Sequence, residues 1–521
     1  MSDSVNSGIF VLEGPAGGQP IPTRRETVTA FIGPAPRGPV NIPVAVRSVG
    51  DYLARFGSPH RRSRLEFLLK DYFDNGGSVA VVVRVCRSER RHTIGLPAGS
   101  GTLMLEALNP GPLEFLRASV DYDRIDQKQR DRFNLVIHRL ESPRRPLVVE
   151  QEIYPSLSVD PADPDWIGHA LIRSELVRLK GDAPPERPER TLGPGVEAES
   201  AYVYTKSSWA DPDAPTDYDL IGSDDEGTGL FALEQVASVD VVCLLPGLAG
   251  RDLGPVALFA AERYCRERNA VFLIDPPSHW TSVDDVDAYR QQHGLCSPNV
   301  ATYFPRLATA PGHLHPPSAL GGIAGSLAAE DARHGSGGLG GEAALKLNFR
   351  HKPARHLGPH ECGHLRRLGV NSLVTSAPGW LRLEGLVTLA RGQGLPAEWN
   401  DMRMRRTTLF VISSLIRGTR WAAYQRNKPE TRRETAEQVR EFLAGLHANG
   451  GLVGSSPVQA FFVRCDRQLN REHEDRSGQM EFMIGIALRQ AGQFLCFRFE
   501  QDRFGCQVHN LGVRDAFALT G

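Results

Sequence analysis

A chain of 521 residues is too long for one ordinary hydrophobic core and predicts roughly two to four domains. Its 60 basic and 61 acidic side chains nearly cancel, which argues against a nucleic-acid-binding protein held by bulk charge and removes one barrier to self-association. The eight cysteines form no CxxC pair, disfavouring a disulfide framework and a structural zinc site. No basic-then-apolar leader and no run of about 18 apolar residues occurs, so neither export by a Sec-type signal nor membrane insertion is expected, and a reducing cytoplasm fits.

In chain order, residues 1–27 are polar apart from the run IFVL and predict an extended arm. VTAFIG then reads as a buried strand. LEFLLKDYFDNGG places Leu65, Leu68, Leu69, Tyr72 and Phe73 at helical spacing and stops at Gly76-Gly77, and SVAVVVRV reads as a core strand. From about 98 to 232, short strand candidates (TLMLEAL, LRASVDYD, RFNLVIHRL, LVVEQEIY) alternate with Pro- and Arg-rich turns, the texture of an inserted or decorating region. The grammar of α/β folds returns with the strand VDVVCLLPG, the amphipathic helix LGPVALFAAERYCRER and the strand NAVFLIDPP, which together indicate a parallel sheet covered on both faces. Asp275, at the carboxyl end of its strand, stands where such folds place ligands, but a turn aspartate before Pro276-Pro277 is the better reading. GSGGLGG at 335–341 lacks a following Gly-Lys-Ser/Thr and reads as a loop.

HECGH, at His360 to His364, has the spacing that lets two histidines four apart on a helix hold zinc, with Glu361 as general base and Glu384, twenty residues on, as third ligand. The surroundings argue against it. PHECGHLRRLG is charged almost all round, with only Leu365 and Leu368 to bury, and WLRLEGLVTL around Glu384 alternates as a half-buried strand does. A capped, solvated helix is expected, and a zinc hydrolase is the alternative it displaces. No GxSxG elbow is present, and no other histidine spacing implies a triad.

The last third is the most regular. DMRMRRTTLFVISSLIRG carries Leu409, Ile412 and Ile416 on one helical face. In TRRETAEQVREFLAGLHANGG, Thr431 and Glu434 match a capping box and Val439, Phe442, Leu443 and Leu446 make an apolar stripe. QAFFVRCD, QMEFMIGIAL and QFLCFRFEQ follow as three strands, giving an α+β unit with helices on one face of a sheet.

These segments, in this order, resemble the tail sheath protein of contractile phage tails and related contractile injection systems. The N-terminal likeness is VTAFIGPAPRGPVNIPVAVRSVGDYLARFG with NGGSVAVVVRV; the C-terminal one is EWNDMRMRRTTLFVISSLIRGTRWAAYQRN, PVQAFFVRCDRQLN, MIGIAL and QFLCFRF. Between them, NPGPLEFLRASVDYD, YPSLSVDP, VVCLLPG and LGVNSL fit as well, so that the resemblance runs from about residue 8 to about 500. It implies an α/β and α+β multidomain fold: an N-terminal arm (1–27), the first part of the sheath core (28–97), an inserted β-rich domain (98–235), a central parallel-sheet domain of non-catalytic subtilisin-like fold (236–395), a C-terminal sheath domain (396–500) and a C-terminal arm (501–521).

The function implied is structural, not enzymatic, and needs no cofactor: helical self-polymerisation, with possible paralogues, around an inner tail tube, bounded by baseplate and tail-terminator proteins. The particle would assemble in the bacterial cytoplasm and be a virion tail or a released contractile particle. Arms that add strands to neighbouring subunits would hold the lattice, which nominates Phe10, Val11 and Leu12 together with Phe494, Leu495, Phe497 and Phe499. The tube-facing surface would include Arg403, Arg405 and Arg406. The stretch TLARG, the loop 311–350 and the extension DRFGCQVHNLGVRDAFALTG depart from the family pattern.

Overall fold

The computed structural model describes residues 20–515 apart from 24–25, 58–62, 88–90, 112, 143–144, 193–200, 206–213, 293–294, 310–314, 336–345, 349–350, 378–379, 391–396 and 472–477. The chain divides into two compact units: one of residues 27–329 and 344–392, the other of 1–26, 330–343 and 393–521.

The larger unit is built on strands β1 (Val28–Gly33), β2 (Pro43–Val46), β3 (Val79–Arg84), β11 (Val241–Leu244), β12 (Val271–Ile274), β13 (Val300–Phe304), β14 (Lys346–Asn348), β15 (Asn371–Ala377) and β16 (Trp380–Glu384). They form one sheet in the order β14-β16-β15-β13-β12-β11-β1-β3-β2. From β15 to β3 every neighbouring pair is parallel; β2, β14 and β16 join antiparallel at the ends. VVCL, VFLI and VATYF are buried at every position because helices cover both faces, so an alternating pattern would put polar groups into a core.

Among those helices are α1 (Val49–Phe56), α2 (Leu65–Asp74), α3 (Pro255–Glu267), α4 (Val283–Gln292), α5 (Leu320–His334) and α6 (Pro359–Arg367). Helix α3 begins with a proline at its first position, where the missing N–H costs nothing. Helices α2 and α5 come unusually close. A Cβ at Gly321 would fall against the Leu68 carbonyl oxygen, and one at Gly325 against that of Tyr72, well inside contact distance. Both pairs are four residues apart, so a row of missing side chains on α5 receives the backbone of α2.

The same unit contains the excursion between β3 and β11: β4 (Thr93–Ala98), β5 (Gly101–Ala107), β6 (Leu116–Asp121), β7 (Arg132–Leu140), β8 (Val148–Ser158), β9 (Val177–Leu179) and β10 (Val203–Tyr204). These make an antiparallel sheet in the order β10-β6-β7-β8 and a smaller one, β4-β5-β9, around their own core of residues such as Leu103, Leu105, Phe133, Leu135 and Ile137. A buried charge cluster lies at its base. Arg139 donates to Glu114 at 2.8 Å and to Glu150, and the fully buried Arg84 donates to the Ala35 and Gly38 carbonyls. Breaking one partner of such a pair leaves an uncompensated buried charge.

The smaller unit has helices α7 (Met402–Gly418) and α8 (Pro429–Ala448) and an antiparallel sheet, β17 (Phe461–Arg464), β18 (Gln479–Ile486), β19 (Gln493–Asp502) and β20 (Cys506–Asp515), paired in chain order. Phe410, Leu415, Phe442, Leu443 and Leu446 of the helices pack on Phe482, Ile484, Phe497 and Phe499 of the sheet, with the Phe482 and Phe499 rings stacked 4.6 Å apart. Helix α7 is capped by Asp401, whose carboxylate accepts from the Arg403 and Met404 N–H groups. The capping box expected at Thr431 and Glu434 is not how α8 starts. Pro429 opens the helix, Lys428 precedes it, and the Thr431 hydroxyl donates to the Arg426 carbonyl.

Candidate assembly surfaces

HECGH forms helix α6. Glu361 reaches back to accept from the Gly358 N–H at 2.9 Å and pairs with Arg355 at 2.8 Å; those two bonds hold its carboxyl below the usual range. His364 faces Asp287 of α4 at 3.4 Å, and its Nδ1 accepts from Arg367 at 3.3 Å, while Glu384 is paired with Arg382 on its own strand. His360 is exposed. Cys362 and Leu365 are what the helix buries. Among the described residues, no three metal-binding side chains converge. The four residues weighed for zinc therefore serve as a cap, surface ion pairs and a solvated side chain.

Asp275 directly follows β12 and lines a cleft of about 220 Å³ at the carboxyl ends of the parallel strands, with Leu68, Leu244, Leu245, Leu258, Trp280 and Tyr289. Loss of water raises its carboxyl above the usual range, opposed by bonds from the Ser318 side chain and the Ala319 N–H. The charged groups around it have internal partners: Arg306 binds Asp252 and the Pro276 carbonyl, and Arg64 donates to the Pro316 carbonyl.

In the smaller unit, β19 is an interior strand. It pairs with β18 from Gln479↔Asp502 to Ile486↔Leu495 and with β20 from Gln501↔Cys506 to Gln493↔Asp515. Phe494, Leu495, Phe497 and Phe499, nominated for a contact between subunits, are therefore buried within a single chain. Within the extension expected to form a C-terminal arm, Cys506–Asp515 is the strand that pairs with the second side of β19. Among the described residues, the unpaired edges of this sheet are the outer sides of β17 and β20.

Phe10, Val11 and Leu12 lie outside the described residues; the root of their segment does not. Ile21 is buried against Gly418 of α7, whose missing side chain makes room for it, and Thr23 lies against Gly445 and takes a 3.5 Å bond from Asn449.

The three arginines of α7 are engaged locally. Arg405 is buried over the Trp399 ring, and desolvation lowers its pKa to about 10. Arg406 is bound to the buried Asp331, and Arg403 lies 3.4 Å from Asp401. Arg403 is the most accessible of the three. Residue type and spacing gave no sign of this, because MRMRR places them on different sides of a helix whose surface is buried nearly all round.

The chain has the fold of contractile tail sheath proteins. The sheath tail protein of Listeria innocua superposes with a TM-score of 0.63 at 13% identity, over 92% of this chain and 95% of that one. The sheath tail protein of Desulfitobacterium hafniense gives 0.53 at 10% identity over 98% and 100%. The sheath of an extracellular contractile injection system (PVC), solved in its contracted state, gives 0.51 at 14% identity over 94% and 96%. No family model matches the chain, and no curated protein is similar to it in sequence. Among the described residues, no helix is long and apolar enough to cross a membrane.

Proposed function

We propose that the chain is a structural subunit of a contractile sheath, polymerising helically around an inner tube and contracting to drive that tube through a target envelope. The observation that carries this is likeness to sheath proteins over more than nine-tenths of both chains, inserted domain and terminal unit included. The central sheet is then a non-catalytic relative of the subtilisin fold, consistent with the engaged side chains of its cleft. Work is stored in interfaces that differ between two lattices, not in a bound cofactor.

Lattice contacts in this reading are strand additions. The segment carrying Phe10, Val11 and Leu12 leaves its anchor at Ile21 and pairs with an open edge of a neighbour's four-stranded sheet, β17 or β20. Exchange of β20 between copies would bring a neighbour's strand onto Phe494, Leu495, Phe497 and Phe499 in the register it holds at home. Arg403 is the member of the arginine trio best placed to face a tube. Baseplate and terminator proteins are the expected partners at the sheath ends, and the particle is a phage tail or a released injection device assembled in the cytoplasm.

Negative-stain microscopy of the purified chain tests the proposal: striated tubes or rings support it, and a protein that stays monomeric in every assembly condition sinks it. Deleting residues 1–19 should abolish tubes without lowering the thermal midpoint, since the anchor at Ile21 remains.

A further inference from the structure

The parallel part of the large sheet reverses direction once. From β1 the chain moves to β3 on one side, then returns to lay β11 on the other side of β1, and β12, β13 and β15 follow outward in that second direction. Where strand order reverses, a crevice opens beyond the carboxyl ends of the strands, and open α/β sheets take their ligands there. The cleft beside Asp275 occupies that place. Its walls include Pro34, which follows β1, Leu244 at the end of β11, Ile274 at the end of β12 and Thr302 of β13. All of them belong to the larger unit, so the cleft is complete within one chain.

Size and chemistry narrow the occupant. At about 220 Å³ the cleft is smaller than the roughly 300–1,000 Å³ of sites for drug-sized molecules, and its leucines, Trp280 and Tyr289 give it an apolar wall. Four arginines line it, Arg64, Arg251, Arg290 and Arg306, against two carboxylates, Asp252 and Asp275. Arg306 pairs with Asp252, which also accepts from the Ser278 N–H and hydroxyl at 2.8 Å. Asp275 accepts from Ser318 and Ala319. Arg64 and Arg290 donate to backbone carbonyls, and the exposed Arg251 has no side-chain partner among the described residues. Two further groups that can donate are unmatched: the indole N–H of Trp280, which is 6% exposed, and the hydroxyl of the fully buried Thr302. The carboxylates of the lining are thus occupied, while donors and positive charge are left over, which favours an anion rich in acceptors.

We propose that this cleft binds a small amphipathic acid, with its apolar body against Leu68, Leu244, Leu258 and Trp280 and its carboxylate toward Arg251 at the mouth. Binding here is a property of the single folded chain and is independent of any contact that would build a sheath.

The test titrates the full chain with octanoate in a calorimeter, below the concentration at which octanoate forms micelles. Saturable binding at one site per chain is expected, with 1-octanol held more weakly and octylammonium more weakly still, and bound octanoate should raise the thermal midpoint. Ala249→Trp, in the loop that lines the cleft, should fill it and abolish binding. Arg251→Gln, at an exposed position, leaves the cleft open; it should weaken octanoate by about threefold and octanol not at all. A chain with no saturable octanoate binding overturns the proposal. So does octylammonium that binds as tightly as octanoate, or an octanoate affinity unchanged in either variant.

Discussion

The nine-stranded sheet of the larger unit and the four-stranded sheet of the smaller one dispose of their edges differently. The first ends in β14 and β2, three and four residues long; β2 lies beside the fully buried β3, and β14 lies beside β16, whose residues alternate between buried and partly exposed. The second ends on one side in β20, ten residues long, with Gln507, His509 and Asn510 exposed. A short edge offers a neighbour few backbone groups, and a long one offers a whole ladder. The larger sheet is thus finished by short strands of its own chain, while the smaller sheet ends, among the described residues, in one long unpaired strand.

Three substitutions bear on that contrast, in order of expected effect. Phe482→Ala removes one of two stacked rings from the core under the open-edged sheet and should cost about 3 to 5 kcal/mol. In chemical denaturation the smaller unit should then unfold in a separate, earlier transition; a single transition at the wild-type midpoint would show that the sheet does not depend on that core. Gly325→Leu pushes α5 away from the Tyr72 carbonyl on α2 and should cost about 3 kcal/mol, this time in the larger unit. A loss under about 1 kcal/mol would mean that the close approach of the two helices is adaptable.

The smallest effect is at Asp275. Its folded-state pKa is raised, so the folded chain binds the extra proton, and stability falls as pH climbs from the unfolded value, about 3.9, through the folded one. Asp275→Asn should raise the thermal midpoint at neutral pH and lose that advantage near pH 4; calorimetry across this range would show it. Equal midpoints at both ends would mean that Ser318 and Ala319 fully compensate the buried carboxylate.

The buried strands were the most legible part of the sequence. SVAVVVRV, VDVVCLLPG and NAVFLIDPP contain β3, β11 and β12 because a strand covered on both faces has to be apolar throughout. The strand candidates of the inserted region fall on β5 to β8, with β8 running on to Ser158 beyond LVVEQEIY, and QMEFMIGIAL and QFLCFRFEQ fall on β18 and β19. β20 was missed for the converse physical reason. CQVHNLGVRD packs little beyond Cys506, Val508 and Leu511 and carries a bulge and a glycine at positive φ, so the alternation that marks a half-buried strand is blurred. Missing it misplaced the edge of the sheet by one strand. The surroundings of the α7 arginines were illegible for another reason: sequence shows charge, whereas burial beside Trp399 and pairing with Asp331 depend on residues far along the chain or on another element.

The polar outer surface of β20 has a consequence for how such a chain survives before it assembles. An open ladder ten residues long attracts any stray extended segment, and an apolar one would trap unfolded chains in the crowded interval after synthesis. Glutamine, histidine, asparagine and arginine along that strand keep casual visitors too weakly held to stay. Apolar substitutions at these positions, harmless to the fold, would be felt first as lost yield.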